Sequence, residues 1–259
     1  MLKERIKKIY FYRHILWDMA ITQLKAKYAA SKLGIWWAVV TPLMLAVSIN
    51  FVFTVVFKIE IKNYTLFVLA GMIPWFFSVS ALTEAADSFI INSSILKQSI
   101  SPREFIPMSS ILANLLNFLI GLVFLLPLFI ILNFRVIGLL PFLFLIIILN
   151  FIFIIGLGTL FSCVNVFFRD LTHFMSIGFM VWFWITPVFY SLDMIPFSFR
   201  LICLFNPMTH YVILYQDVLF RLTVPSLASL LIVFLISLIS IFIGYFVFLK
   251  KEPSLLKRI

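Results

Sequence analysis

Residues able to do chemistry are few in this chain and far apart. Glu84 and Asp87 come nearest to a catalytic pair. Three positions apart, they share one helical face, where they could act as acid and base on a lipid-linked sugar. The same spacing suits a solvated helix end. His14, His173 and His210 are dispersed over three regions, as befits lone interfacial histidines and not a ligand set. Cys163 and Cys203 have no CxxC spacing and read as small apolar fillers, so neither a disulfide framework nor a metal site is expected. The sequence has no GxxxxGK(S/T), GxSxG or HExxH motif. A loop to cradle ATP phosphates is therefore missing, and any energy source must lie outside the chain.

Aromatic rings are abundant instead. The stretch 174–191 carries Phe174, Phe179, Trp182, Phe183, Trp184, Phe189 and Tyr190. The stretch 36–57 opens with Trp36 and Trp37 and carries Phe51, Phe53 and Phe57. Aromatic faces stack on the C–H faces of sugars and leave the hydroxyls to water, a contact that permits sliding. The competing assignment is a belt of rings packed against lipid. Trp36, Phe51, Trp182, Trp184 and Tyr190 are the candidates for a lined path, and Pro187 could kink the chain near its exit.

The elements that must position these residues are membrane helices. Of 259 residues, 64% are hydrophobic and only 12% are charged. The mean hydropathy of +1.17 leaves too little polar surface for a water-facing domain. Six stretches lack Asp, Glu, Lys and Arg: about 36–57, 65–83, 110–132, 140–164, 174–191 and 226–249. A crossing needs roughly 20 helical residues, and backbone groups in lipid must be satisfied within the segment. The expected fold is all-α, with six transmembrane helices. Their lack of ionisable groups disfavours ion-coupled transport, and no charged ring marks a passive channel.

Basic residues set the orientation. With a cytoplasmic N-terminus, fifteen Lys and Arg fall inside and five outside, and six spans return the C-terminus to the cytoplasm. The net charge of +10 then reads as topology and contact with anionic lipid, with no nucleic-acid partner. Residues 1–35 form a cytoplasmic N-terminus, 36–249 the transmembrane domain and 250–259 a cytoplasmic tail. Only Ile9 to Tyr12 separate Lys8 from Arg13, too few for a signal-peptide core, so no cleaved segment is expected. Residues 10–28 show two apolar stripes at helical spacing. One holds Trp17, Ile21, Leu24 and Tyr28, the other Tyr12, Ile15 and Met19. Such a helix lies on the membrane while touching protein. Residues 84–109 form the longest inner loop, with Asn92, Ser93 or Ser94 able to cap a short helix. That helix would present Ile95, Leu96 and Ile100 with Lys97 and Arg103 at the rim, which suits a groove on a partner. Residues 192–225 are too apolar for a free outer loop and predict a re-entrant helical pair around Asn206-Pro207.

Five short motifs, in order, resemble those of the permease subunits of ABC-2 type exporters, especially those moving O-antigen, capsule or teichoic-acid chains. Tyr28-Ala-Ala-Ser31-Lys-Leu33-Gly34-Ile-Trp36, followed by Pro42-Leu43, is similar to that family's junction of interface helix and first span. Gly71-Met-Ile-Pro74-Trp75 resembles its second-span signature. Asn92-Ser-Ser-Ile-Leu96-Lys97, then Pro102-Arg103-Glu104 and Pro107, resembles its coupling segment, where Ser101 replaces a frequent aromatic. Phe168-Arg169-Asp170-Leu171 and Asn206-Pro207-Met-Thr209 complete the set. The resemblance implies a homodimeric permease of the bacterial inner membrane paired with two copies of a separate ATPase subunit. That partner would bind ATP and Mg, and this chain no cofactor. The substrate implied is a lipid-linked polysaccharide, most often O-antigen. The alternative is a membrane-embedded transferase acting on lipid-linked sugars.

Overall fold

The computed structural model describes residues 2–58, 61–93 and 102–258. Every regular element among them is helical. Two short helices, α1 (Leu2–Phe11) and α2 (Arg13–Tyr28), precede a single turn at Gly34–Trp36. Helix α3 (Trp37–Asn50) follows and widens to π-type winding over Phe51–Val56. The long helices α4 (Tyr64–Ile91), α5 (Phe105–Leu132) and α6 (Arg135–Phe167) come next, then the short α7 (Leu171–Ile185). Helices α8 (Phe197–Phe205) and α9 (Pro207–Gln216) precede α10 (Leu227–Arg258).

Five of these helices are long and apolar enough to cross a bilayer: Gly34–Val56, Tyr64–Ile91, Phe105–Leu132, Arg135–Phe167 and Leu227–Leu255. Helices α4 and α10 overrun the charge-free stretches, and Glu84, Asp87, Lys251 and Glu252 near their ends are partnered. Helix α4 continues past Glu84 and Asp87 to Ile91, where Asn92 closes it by donating from its backbone N–H and its amide to the Ser88 carbonyl. The expected fifth span is built differently. Helix α7 has 15 residues, or about 22 Å against a hydrocarbon core of about 30 Å. The rest of its stretch, Thr186 to Tyr190, is non-helical and mostly buried. Its carbonyls are satisfied by protein. Gln216 Nε2 donates to Pro187 O at 3.0 Å and to Val188 O at 3.2 Å, and the Tyr64 hydroxyl donates to Phe189 O. Irregular backbone at membrane depth survives only with such partners.

A sharply bent helix pair stands where the re-entrant pair is expected. Helix α8 meets Pro207–Arg221 at a bend of 99°. Asn206 makes the corner by accepting the Met208 N–H at 3.0 Å, with Pro207 in the first turn, where its missing donor is harmless.

Helix α4 is the centre of the bundle: 78% of its most apolar window is buried, against 11% for the first span. Helices α6 and α10 lie closest of all. A Cβ on Gly244 would stand 2.0 Å from the Gly156 carbonyl oxygen, and one on Gly156 would stand 2.3 Å from the Ser240 carbonyl carbon. Ser237 Oγ and Ser240 Oγ donate across this seam to Leu149 O at 2.8 Å and Phe153 O at 2.7 Å. In lipid, apolar burial does not drive helices together; small residues and interhelical hydrogen bonds do.

Both stripes of α2 find use. Ile21 and Leu24 face Leu116, Leu119 and Ile120 of α5 across a shallow groove. Met19 packs on a cluster of Phe89, Ile106, Cys163 and Phe248, while Trp17 stays exposed.

Candidate functional site

Two regions could carry function: the aromatic rings near α3 and α7, and the polar face formed by the interface helix and the helix ends beside it.

The rings of α7 and its extended continuation form a connected cluster. Trp182 stacks on Phe179 with ring centroids 5.9 Å apart and meets Trp75 of α4 edge-on at 5.7 Å. Phe189 contacts Phe183 at 5.5 Å, Trp184 at 5.1 Å and Tyr190 at 5.0 Å. It also meets Phe53 of the first span at 5.3 Å. The first and fifth stretches therefore touch, through Phe53 and Phe189. The five path candidates are distributed over this arrangement. Trp184 and Phe51 are exposed. Tyr190 is half-buried and donates to Trp184 O at 2.9 Å. Trp182 is half-buried, its indole N–H donating to Asn206 Oδ1 at 2.5 Å. Trp36 stands apart, exposed and packed on Phe124 of α5 at 5.0 Å.

At the other region, Lys27 Nζ sits 2.7 Å from Glu84 Oε1 and 2.9 Å from Asn114 Oδ1. The Asn114 amide closes the ring by donating to Glu84 Oε2 at 2.6 Å. The next residue of α2 reaches one turn further along α5: the Tyr28 hydroxyl donates to Asn117 Oδ1. Burial pushes the Tyr28 phenol above its ordinary range; the Asn117 hydrogen bond opposes this and the Glu84 carboxylate adds to it. Gln23 Nε2 donates to Ser109 Oγ at 2.9 Å. Asp87 accepts from Asn165 Nδ2 at 3.0 Å. Glu84 and Asp87 are thus engaged in holding α2 and α6 to α4. The next turn of chain is fixed by Ser31, whose Oγ accepts the Gly34 N–H at 3.2 Å and the Trp37 indole N–H at 3.1 Å. Gly34 has φ of +51°, which only glycine adopts freely. That geometry explains the spacing Ser31–Gly34–Trp37.

Of the expected docking residues, Ile95, Leu96, Lys97 and Ile100 lie outside the described residues. Arg103 is described, and its guanidinium lies 3.4 Å from the Glu252 carboxylate near the end of α10. Lys251 and Arg258 of the same helix sit over the Phe167 ring at 5.2 and 5.1 Å. The end of α10 thus touches both the start of α5 and the end of α6. Sequence reasoning missed the roles of Gln216, Tyr64, Asn114 and Asn117. Their signal was a polar side chain set in an otherwise apolar run.

A family model described as "ABC-2 type transporter" matches residues 16–220. Among curated proteins, an O-antigen export system permease protein RfbA of Klebsiella pneumoniae is 35% identical over 195 residues, covering 75% of each chain. A second protein of that name and organism is 33% identical over 230 residues, covering 88% of each chain. The Myxococcus xanthus protein of the same name is 26% identical over 265 residues, covering 98% of each. With its apolar helices, its bent helix pair and its matching motifs, the chain belongs to the ABC-2 type transporter family of multi-pass membrane proteins.

Proposed function

We propose that this chain is the channel-forming subunit of an ATP-driven exporter that moves lipid-linked polysaccharide, most specifically O-antigen, across the bacterial inner membrane. The observation that carries this reading is the identity of 33–35%, over three quarters of the chain or more, to permeases named for O-antigen export. It works as a homodimer with two copies of a separate ATPase subunit, which binds ATP and Mg. Both termini are cytoplasmic, an orientation that rests on the Lys and Arg asymmetry. Residues 92–107 dock on the ATPase, with Ile95, Leu96 and Ile100 at the centre and Lys97 and Arg103 at the rim.

The polymer path runs between the first and fifth stretches, with Trp36, Phe51, Trp182, Trp184 and Tyr190 along it. The Phe53–Phe189 contact supports this placement by bringing the two stretches together. The exposed rings of Phe51 and Trp184 are free to face a polymer. The transferase alternative needs a free acid or base, and the engagement of Glu84 and Asp87 weighs against it.

Co-expression with the P-loop ATPase subunit of an O-antigen exporter tests the proposal. The expected result is a stable complex whose ATP hydrolysis drives lipid-linked polysaccharide across proteoliposomes. Failure of the complex to form, or transport that ignores ATP, overturns it.

A further inference from the structure

A cavity of 240 Å³ lies between the interface helix and the first three spans, away from the rings of α7. Its walls come from Lys27 and Tyr28 of α2, Trp37, Ala38, Thr41 and Pro42 of α3, Ile73 to Ser80 of α4, and Asn114 to Leu125 of α5. Gly121 lets α5 approach α3 closely at its edge, where a Cβ would stand 3.0 Å from the Ala38 carbonyl oxygen.

The polar groups on these walls are unusual for membrane helices. Hydroxyls within a helix ordinarily turn back to the carbonyl one turn earlier. Ser48, Thr54, Ser78 and Thr83 do so at 2.7 to 2.9 Å. Thr41 and Ser80, both on the cavity wall, make no hydrogen bond to any described residue. Asn117 accepts from Tyr28 through Oδ1, leaving its Nδ2 donor without a partner among the described residues. Lys27 uses two of its three protons on Glu84 and Asn114.

The chemistry of these walls selects among ligands. Lys27 is already neutralised by Glu84, so the cavity has no uncompensated charge for a phosphate. It combines neutral donors and acceptors with the aromatic side chains of Trp37, Phe76 and Phe118. Trp37 is held in orientation by its own hydrogen bond to Ser31. Hydroxyls and amides beside aromatic faces suit a sugar ring, with its apolar C–H face and polar rim.

We infer that this cavity binds one saccharide unit of a membrane glycolipid, at a site separate from the aromatic path. The inference rests on the exporter reading only for the origin of one such sugar, the first unit of the lipid-linked polymer. A resident glycolipid of the inner leaflet is the other source of the same chemistry.

Native mass spectrometry of the purified chain, without ATPase or nucleotide, tests binding independently of export. Four probes are compared: polyprenyl-diphosphate N-acetylglucosamine, glucosyl-diacylglycerol, diacylglycerol and phosphatidylglycerol. One or both sugar lipids should be retained over the other two, and which one identifies the source. The double variant Thr41→Val with Ser80→Ala should lower that retention about tenfold. Trp37→Ala should lower it too, with Trp37→Phe keeping most of it, which gives a second route should the double variant fold poorly. Equal retention of diacylglycerol, tighter retention of phosphatidylglycerol, or variants that bind sugar lipid as before would each overturn the inference.

Discussion

The indole N–H of Trp182 donates to Asn206 Oδ1 at 2.5 Å, tying α7 to the corner of the bent helix pair. The same oxygen caps α9 through the Met208 N–H, and Asn206 Nδ2 donates to Thr186 Oγ1 at 2.8 Å. One buried amide therefore fixes three backbone features: the end of α7, the corner and the start of α9. Asn206→Ala strands the indole N–H and the helix start together, while the Thr186 hydroxyl keeps its own bond to Trp182 O at 2.7 Å. Asn206→Ala should destabilise the protein by about 1–3 kcal/mol. Trp182→Phe removes only one donor and should cost less. Thermal unfolding of the two variants in detergent checks the order, and a larger loss for Trp182→Phe would contradict it.

Lys27, Glu84 and Asn114 form a closed ring between the interface helix and two spans. The groups are partly exposed, so the ion pair itself should be worth only about 0.5–1 kcal/mol. Glu84→Gln has one acceptor oxygen for two donors, Lys27 and the Asn114 amide, and should cost about 1 kcal/mol. Glu84→Lys should repel Lys27, and the exchange Lys27→Glu with Glu84→Lys should restore part of the loss. A double-mutant cycle on unfolding temperature measures the coupling.

Gly156→Ala should, like Gly244→Ala, be severely damaging. Its Cβ would meet the backbone of Ser240 and Ile241 at 2.3 to 2.4 Å, where no flexible side chain can yield. Helices α6 and α10 would separate, and the hydrogen bonds of Ser237 and Ser240 would lengthen. Monodisperse yield on size-exclusion chromatography should collapse. Gly138→Ala has open space around its Cβ and should leave the yield unchanged.

Leu96→Asp should uncouple ATP hydrolysis from export, because it puts a charge at the apolar centre of the proposed docking surface. The paired readouts are recovery of the ATPase on the purified permease and polysaccharide movement into vesicles. Wild-type values for both would move the docking site elsewhere.

Cysteines placed along the first and fifth stretches should react with a membrane-impermeant thiol reagent more in the ATP-bound complex than in the resting one. Positions in α5 and α6 should change little. Alanine at Trp184 or Phe51 should slow export and leave assembly intact. Uniform labelling of all four helices would return these rings to the lipid belt.

The spans were legible because lipid excludes charge, so charge-free runs mark them. Their true ends were not. Glu84 and Asp87 suggest an end to the second span, yet their partners come from Lys27, Asn114 and Asn165, far away in sequence. The break after Ile185 was only hinted at by Pro187, because the side chains that satisfy its carbonyls, Tyr64 and Gln216, belong to other elements. The aromatic density of the fifth stretch was readable from composition. That Phe53 meets Phe189 depends on how the helices are rotated, which the apolar pattern of a nearly all-apolar span cannot encode.

The sparse burial of the first span has a consequence for its mobility. Only 11% of its apolar window is covered by the rest of the chain. Exchanging one apolar neighbour for another in hydrocarbon changes the free energy little. The seat of this helix is therefore weakly determined from within the chain, while α4 is locked on all sides. Tilt and depth of the first span become properties of its surroundings. A thinner or thicker bilayer, by changing the hydrophobic mismatch, shifts that helix before it shifts any other. The bilayer then acts as a rheostat on the one span that carries both Trp36 and Phe51.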